Sequence, residues 1–324
     1  MRFAVIGRGM IVEKWLDAVR TLPGFELAAV YSRSLDAARA FALKHGAARY
    51  MDSLDRLADD PGVDAVYIAS PNLFHARQAI QMLEAGKHVL VEKPMCVDAG
   101  EAADMFRAAD SSGCLLLEAT RNVLNPAMDI LYKALPKLGP IRFAQFHYCQ
   151  YSSRYDRFKR GVMTNAFDPS LATGGLMDLG IYCMEAAAYL FGETSRVTGV
   201  NHALKHGWDA LGTVVLSYSD MQSVLHYSKI TDGKTPSEIQ GENAVLLIDH
   251  IAHLRSARIL YRDGSEETLF TESSLNDLRH ETSAFIDMVN GRISAERYRA
   301  CSLASMRMMD LARAAMGIRF HEQA

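Results

Sequence analysis

The feature that most constrains the fold is an alternation of short apolar segments with helical segments over the first 120 residues. The apolar segments do not alternate with polar residues, which is typical of buried strands in a parallel sheet with helices on both faces. A helical pattern starts after Ser34, a capping residue, and stops at Gly46. We therefore predict an N-terminal α/β domain with a doubly wound parallel sheet. The predicted strands cover residues 2–6, 26–31, 64–69, 88–92 and 114–118.

The pattern changes after about residue 120. Strand-like segments then follow one another through turns such as Ser219-Asp220 and Asp263-Gly264, which indicates an antiparallel or mixed sheet with helices on one side. Residues 152–170 are interpreted as a polar, aromatic loop. We predict a C-terminal α+β domain over residues 121–324 with an open, mostly antiparallel sheet. Its predicted strands cover 141–151, 196–204, 211–218, 221–230, 242–249, 257–262 and 266–270, and its main helices cover 175–191, 276–290 and 295–317.

Composition excludes several classes of protein. The net charge is −3 at pH 7, so nothing indicates nucleic acid or an anionic membrane surface as a partner. No apolar run reaches the roughly 18 residues of a membrane span, and no signal peptide is visible. The 5 cysteines form no CxxC pair, which disfavours a disulfide framework and fits a cytoplasmic location. The histidine pairs 202/206 and 250/253 lack further converging ligands, so we predict no metal site.

A glycine-rich turn follows the first predicted strand directly. Gly7 permits a tight turn, Gly9 lets backbone approach a pyrophosphate, and the following helix N-terminus supplies N–H donors at Met10 and Ile11. Val12 stands where the usual fingerprint has a third glycine, so helix and strand must pack slightly further apart. The alternative is a strand–helix turn without a ligand. The position in the first βα unit favours a dinucleotide site.

The end of the second predicted strand indicates which dinucleotide binds. An acid is expected there to hold the adenosine ribose of NAD, but the sequence contains Tyr31-Ser32-Arg33-Ser34. Two hydroxyls beside an arginine suit a 2′-phosphate, because guanidinium and hydroxyl donors match its oxygens. The alternative is a solvent-facing arginine at a strand end. We therefore predict NADP in preference to NAD, with Ser32, Arg33 and Ser34 as ligands.

Lys93 ends the fourth predicted strand, in His-Val-Leu-Val-Glu-Lys-Pro at 88–94. Ligands of doubly wound sheets bind beyond the carboxyl ends of strands, and Pro94 fixes the backbone beside the lysine. A lysine in this position can reach the nicotinamide, the ribose or a substrate hydroxyl. The alternative is an exposed surface lysine.

A second candidate cluster lies on the predicted helix 175–191. Asp178 and Tyr182 are four residues apart and therefore share a helical face, with Glu185 near Tyr182. They are conspicuous in a segment otherwise rich in apolar residues. The alternative is a core tyrosine whose hydroxyl bonds to Asp178 or to backbone.

The order of these motifs resembles that of the Gfo/Idh/MocA oxidoreductases, which include glucose–fructose oxidoreductase and inositol dehydrogenase. The motifs are Gly-Arg-Gly at 7–9, Ser-Pro-Asn at 70–72 with His75, Ala-Gly-Lys-His-Val-Leu-Val-Glu-Lys-Pro at 85–94 and Gly-Gly-Leu-Met-Asp-Leu-Gly-Ile-Tyr at 174–182. The resemblance covers nearly the whole chain. It implies a Rossmann domain followed by an α+β domain, with Lys93 in the active site and Asp178 positioning substrate. Further cofactor-binding candidates are Ser70, Pro71, Asn72, His75, Glu92 and Lys93.

Tyrosine at 182 departs from the many members that have histidine there, and resembles the glucose–fructose oxidoreductase and dihydrodiol dehydrogenase branches. We predict reversible oxidation of a secondary alcohol on a sugar, polyol or cyclic diol, with NADP⁺ taking hydride. Tyr182 would exchange the proton, Lys93 would hold the hydroxyl and lower the pKa of the phenol, and Asp178 would orient the substrate or Tyr182. Glu118 and Arg121 could line the same crevice.

Two alternatives to this dehydrogenase stay open at the level of sequence. One is an NADP-binding regulator that does no chemistry, and the other is a glycosidase that uses tightly held NAD as a transient oxidant. The basic aromatic loop 151–160 either covers the substrate or holds a phosphate, or it is a solvated loop or a subunit contact. The open sheet face predicts a homodimer or homotetramer, and the other expected partner is a small-molecule substrate.

Overall fold

The computed structural model describes residues 1–271 and 277–320. These pack as two units. The first contains residues 1–120 with the described part of 276–299, and the second contains the described parts of 121–275 and 300–324. Residues 277–299, which the sequence pattern places with the second domain, thus pack with the first unit.

The first unit is built on a six-stranded sheet of order β3-β2-β1-β4-β5-β6 in which every neighbouring pair is parallel. This confirms the predicted doubly wound sheet. The three-residue β3 and the five-residue α3 were not predicted, because segments so short show no periodicity. The elements are β1 (Arg2–Ile6), α1 (Met10–Val19), β2 (Glu26–Tyr31), α2 (Leu35–His45), β3 (Arg49–Met51), α3 (Leu54–Ala58), β4 (Ala65–Ile68), α4 (His75–Glu84), β5 (His88–Glu92), α5 (Ala99–Ser112), β6 (Leu116–Ala119) and α9 (Leu278–Val289), with a 3₁₀ turn at Asn72–Phe74.

The predicted bounds of α2 are confirmed by its caps. The hydroxyl of Ser34 accepts a hydrogen bond from Ala37 N at 3.4 Å, and Gly46 ends the helix in the left-handed conformation at φ 79°. Glycine adopts this conformation without the steric cost that a Cβ imposes.

Aromatic packing explains why α9 belongs to the first unit. The ring of Trp15 on α1 stacks on Tyr67 of β4 at 4.0 Å, and its indole N–H donates to the Thr282 hydroxyl on α9 at 2.7 Å. Phe285 of the same helix contacts Phe3 of β1 with ring centroids 5.7 Å apart. An amphipathic pattern marks a helix but not the sheet that it covers, so this partner choice was not predictable locally.

The second unit is built on an eight-stranded sheet of order β14-β13-β12-β11-β7-β10-β9-β8, parallel at β7/β10 and antiparallel elsewhere. The predicted mostly antiparallel sheet is confirmed, as are the hairpins that join β9 to β10 and β13 to β14. The strands are β7 (Ile141–Cys149), β8 (Arg196–Ala203), β9 (Asp209–Ser217), β10 (Gln222–Ser228), β11 (Ser237–Gly241), β12 (Ala244–Ile248), β13 (Ser256–Tyr261) and β14 (Glu266–Thr271). The assembly into dimers or tetramers stays a prediction.

Strand β11 was not predicted, because Ser-Glu-Ile-Gln-Gly carries a single apolar residue, Ile239. Pairing with β7 on one side and β12 on the other buries both Ser237 and Ile239. The neighbours, rather than the strand's own composition, determine its conformation.

The helical elements of the second unit differ from the predictions in two places. Residues 176–180 form a π-helical turn instead of the start of an α-helix, and the predicted loop 152–170 contains α7 together with two 3₁₀ turns. The helices are α6 (Pro126–Ala134), α7 (Tyr155–Lys159), α8 (Ile181–Phe191) and α10 (Glu296–Met316), with 3₁₀ turns at Leu135–Leu138, Asn165–Phe167, Pro169–Leu171 and Lys205–Gly207.

The π-helical turn Leu176–Gly180 packs closely against the ring of Tyr227. A Cβ on Gly175 would lie 2.8 Å from Tyr227 Cε2, and one on Gly180 would lie 3.1 Å from Tyr227 Cδ1. The two glycines therefore admit the Tyr227 ring of β10 against the backbone. Because a π-turn bonds residues five apart, the four-residue spacing that predicted a shared α-helical face for Asp178 and Tyr182 does not apply here.

Within the part of the chain that the structure describes, no helix is both long and apolar enough to cross a membrane.

Candidate functional site

The glycine-rich turn after β1 forms an open cradle. Gly7 has φ 119°, and a Cβ there would lie 2.5 Å from the Ala69 carbonyl oxygen, so only glycine fits. Gly9 precedes α1 with open space around its Cβ position. The first turn closes when Val12 N donates to Gly9 O at 3.0 Å, which leaves the N–H groups of Met10 and Ile11 ahead of the first α-helical bond. This geometry fits a pyrophosphate at a helix N-terminus.

At the end of β2, Ser32, which was predicted as a cofactor ligand, contacts Arg8, which was not. Arg8 Nε donates to the Ser32 hydroxyl at 3.0 Å, and Ser34 N donates to the same oxygen at 3.5 Å. Ser32 is buried, whereas Arg33 and Ser34 are exposed. Arg8 was not among the residues predicted from the sequence. The sequence feature that could have indicated Arg8 is its position in the Gly-x-Gly turn after β1, the strand that pairs with β2.

The segment after β4 is tied to the segment after β5 by one histidine. The His75 ring is 1% exposed, with Nε2 2.8 Å from Ser70 O and Nδ1 2.9 Å from Pro94 O. Burial lowers the pKa of His75 despite the two carbonyl acceptors, and a neutral ring donates to one of them at a time. Ser70 also donates to Gln78 Oε1 at 2.7 Å. Of the predicted cofactor residues, His75 therefore contacts the backbone that flanks Lys93.

Lys93 is half-buried and directly follows β5, as predicted, and its peptide bond to Pro94 is cis. Two residues later, Met95 N donates to Glu118 Oε1 at 2.8 Å. Glu118, which the sequence analysis considered as a lining residue of the crevice, is 3% exposed. Buried side chains from α4 and β6 thus hold the chain on the C-terminal side of Lys93, which restricts where its ammonium can point.

Glu92, the last residue of β5, is also buried. The Tyr67 hydroxyl donates to Glu92 Oε1 at 2.5 Å, and Tyr67 is the residue that stacks on Trp15. Because the Glu92 carboxylate accepts a hydrogen bond from a core tyrosine, it has a hydrogen-bond partner without a bound cofactor. Glu92 and the predicted site residues Pro71 and Asn72 stay predictions as cofactor ligands.

In the second unit, Asp178 of the π-helical turn forms an ion pair with Lys229, the residue after β10. The Lys229 side chain is 10% exposed and that of Asp178 is 40% exposed. Lys229 was not predicted, although a lysine at the end of a buried strand is a signal of the same kind as Lys93. The pair presents a carboxylate acceptor and an ammonium donor side by side.

The backbone of the π-helical turn is anchored by a buried acid on β9. Asp209 Oδ2 accepts from Leu176 N at 2.7 Å, and Asp209 Oδ1 accepts from the Tyr227 hydroxyl at 3.0 Å. Burial raises the pKa of Asp209, and burial likewise raises the pKa of Tyr227. These contacts set the position from which Asp178 extends.

Tyr182 on α8 is 5% exposed and lies among aromatic and cationic groups. Its ring contacts Tyr148 edge to face at 5.5 Å, and the Arg121 guanidinium carbon is 6.0 Å from the ring centroid. Asn122 Nδ2 donates to Tyr182 O at 3.0 Å. The guanidinium thus lies at the outer limit of a cation–π contact with the Tyr182 ring.

Two other clusters considered from the sequence are the histidine pair 250/253 and the basic aromatic loop 151–160. The His250 and His253 rings lie 4.7 Å apart. Burial is the larger cause and the charge of the nearby His253 the second cause that lower the pKa of His250 to about 4. Among the described residues, no group of three or more His, Cys, Asp and Glu side chains is placed to hold a metal ion. In the basic aromatic segment, Phe158 packs on the buried Phe167–Trp208 stack.

Two family models match the chain. Residues 1–120 match the model described as oxidoreductase family, NAD-binding Rossmann fold, and residues 136–247 match the GFO/IDH/MocA C-terminal domain. The chain is 41% identical over 320 residues to scyllo-inositol 2-dehydrogenase (NADP(+)) IolU of Bacillus subtilis (strain 168), covering 98% of each protein. It is 33% identical over 224 residues to trans-1,2-dihydrobenzene-1,2-diol dehydrogenase of Mus musculus, covering 67% of this chain and 65% of that protein.

The fold is also similar to that of solved structures. KijD10, a 3-ketoreductase from Actinomadura kijaniata in complex with NADP and TDP-benzene, superposes with a TM-score of 0.84 at 23% identity, covering 98% of each chain. At this identity the likeness concerns the fold.

Proposed function

The chain belongs to the Gfo/Idh/MocA family of oxidoreductases, and from that premise we propose that its substrate is a cyclic polyol of the inositol class. It is an NADP-dependent dehydrogenase that acts on CH–OH groups. The observation that carries the choice of substrate is the similarity to the scyllo-inositol dehydrogenase along nearly the whole chain.

The first unit supplies the residues that would hold NADP. Gly7 and Gly9 would let backbone approach the pyrophosphate, and the N–H groups of Met10 and Ile11 would donate to it. Ser32, Arg33 and Ser34 stand at the strand end where the adenosine ribose of a dinucleotide binds. NADP⁺, when bound, supplies the hydride acceptor. The positive φ of Gly7 and the open space at Gly9 are the features of this structure that fit such a group.

The Asp178–Lys229 pair suits a polyol. Every hydroxyl both donates and accepts hydrogen bonds, so a carboxylate beside an ammonium can accept from one hydroxyl and donate to its neighbour. Charged partners make these bonds stronger than neutral ones. We assign this pair to substrate binding, with the 40% exposed Asp178 carboxylate as the accessible member.

Lys93 and Tyr182 are assigned to the reacting hydroxyl. The Lys93 ammonium donates to its oxygen and stabilises the negative charge that develops there. The Tyr182 phenolate takes the proton of that hydroxyl during oxidation, and the phenol so formed returns the proton during reduction. The Arg121 guanidinium carbon, 6.0 Å from the Tyr182 ring centroid, places a positive charge near this residue.

The test of this function is a substrate series with the purified protein and NADP⁺, followed by the absorbance of the reduced nicotinamide. We expect turnover with scyllo-inositol or another inositol, and a far higher KM for cyclohexanol, which has one hydroxyl and cannot bridge the Asp178–Lys229 pair. Turnover confined to dihydrodiols would move the substrate class to cyclic diols.

Absence of turnover with every polyol and diol would contradict the proposal. The two alternatives left by the sequence make different predictions in the same experiment. A regulator would bind NADPH and turn over nothing. A glycosidase would retain its dinucleotide through purification and release a sugar without net nicotinamide reduction.

A further inference from the structure

Arg8 lies between the two glycines of the cofactor turn and reaches the neighbouring strand. Residues Ile6 and Tyr31 are paired at the carboxyl ends of β1 and β2, so the chain that follows each strand starts at the same edge of the sheet. From there Arg8 Nε donates to the Ser32 hydroxyl at 3.0 Å. Because this partner is a neutral hydroxyl, the bond orients the guanidinium without neutralising its charge.

The remaining donors of Arg8 are available to an anion. A guanidinium carries five N–H groups in a rigid fork, of which the contact with Ser32 uses the one on Nε. The terminal nitrogens of such a fork match two oxygens of a phosphate. Ser32 is 8% exposed, so its hydroxyl is a fixed point from which the guanidinium is held.

The position coincides with the place of the distinguishing phosphate. In a Rossmann domain the adenosine ribose lies at the end of the second strand, and an acid there binds the 2′-hydroxyl of NAD. This chain has Ser32 where that acid is expected. We propose that Arg8, held by Ser32, is the main ligand of the 2′-phosphate and the residue that selects NADP over NAD.

Arg33, which the sequence pattern favours for this role, provides the comparison. It is exposed, and its neighbour Ser34 caps α2 by accepting from Ala37 N. Both arginines are exposed, but the Arg8 guanidinium is already oriented by its bond to Ser32, so it loses less side-chain freedom when it binds. Arg8 therefore contributes more to binding than Arg33.

The same geometry gives Ser32→Asp a double effect. The new carboxylate repels the 2′-phosphate, and it also pairs with Arg8 and neutralises the charge that attracts the phosphate. Losses of NADPH affinity from Arg8→Ala and Ser32→Asp should therefore not add in the double variant, because the two residues share one contact.

The experiment measures binding without substrate, by calorimetry with 2′,5′-ADP and 5′-AMP, which differ in the 2′-phosphate alone. Arg8→Ala is expected to weaken 2′,5′-ADP by roughly 10- to 100-fold, the usual range for a charged hydrogen bond, and to change 5′-AMP by less than about 2-fold. Arg33→Ala is the matched control, with a smaller loss for 2′,5′-ADP. Arg8→Lys keeps the charge and should recover part of the affinity.

Melting curves test whether each variant is folded. Because Arg8 is exposed, we expect its replacement to leave the fold intact. Equal weakening of both nucleotides by Arg8→Ala would overturn the proposal, as would a larger loss of 2′,5′-ADP binding in Arg33→Ala. The inference rests on NADP use but not on the proposed polyol, because neither probe contains a nicotinamide and no turnover is measured. A negative substrate screen beside a positive result here would reject the polyol alone.

Discussion

Replacement of Lys93 by alanine should lower turnover by about 10²–10³, the cost of removing one preorganised donor from a developing oxyanion, while the fold persists. The side chain lies at the carboxyl end of β5, where ligands of doubly wound sheets bind. The backbone beside it is held by His75 at Pro94 O and by Glu118 at Met95 N. Since those contacts do not involve the Lys93 side chain, its loss leaves them in place.

The measurement pairs the turnover of Lys93→Ala with its melting temperature and its affinity for NADPH. Lys133→Ala is the control, because Lys133 is an exposed lysine on α6 outside the proposed site. Lys93→Arg adds a second comparison that keeps the charge but changes its geometry. Near-normal turnover in a folded Lys93→Ala variant would show that the Lys93 side chain has no part in the reaction.

Much of the first unit follows from local sequence. Gly7 and Ser34 act within a few residues of themselves, one through its backbone angle and the other through a helix cap, so their roles are visible in the sequence. The parallel sheet follows from apolar strands separated by helices. The packing of α9 on this unit does not, because it depends on Trp15 and Thr282, which are 267 residues apart.

The candidate site likewise combines residues that the local sequence indicates with residue pairs that only the fold brings together. The position of Lys93 at the carboxyl end of β5 could be predicted from the strand pattern, and its part in the reaction stays a prediction. The Arg8–Ser32 and Asp178–Lys229 pairs span 24 and 51 residues, and only the strand order brings them together. The π-helical turn was missed because its glycines pack against Tyr227 of another strand, a contact that the local sequence does not show.

Tyr182→Phe should lower the rate of hydride transfer by about 10²–10⁴, the usual contribution of a positioned general acid or base. Phenylalanine keeps the ring and therefore its edge-to-face contact with Tyr148 and its proximity to Arg121. We expect the variant to fold and to bind NADPH like the wild type, because the ring that packs in the second unit is kept. Single-turnover hydride transfer measures the chemical step apart from product release.

A second tyrosine on the same helix makes this prediction decisive. Tyr189 is also 5% exposed on α8, but its hydroxyl donates to Asp129 at 2.5 Å, a structural bond. Tyr189→Phe should therefore cost about 1–3 kcal/mol of stability and leave hydride transfer nearly unchanged. Tyr182→Phe should do the opposite, losing rate and keeping its melting temperature. If Tyr182→Phe instead behaves like Tyr189→Phe, the Tyr182 hydroxyl is a core contact, and the proton must pass through another group, of which Lys93 is the first candidate.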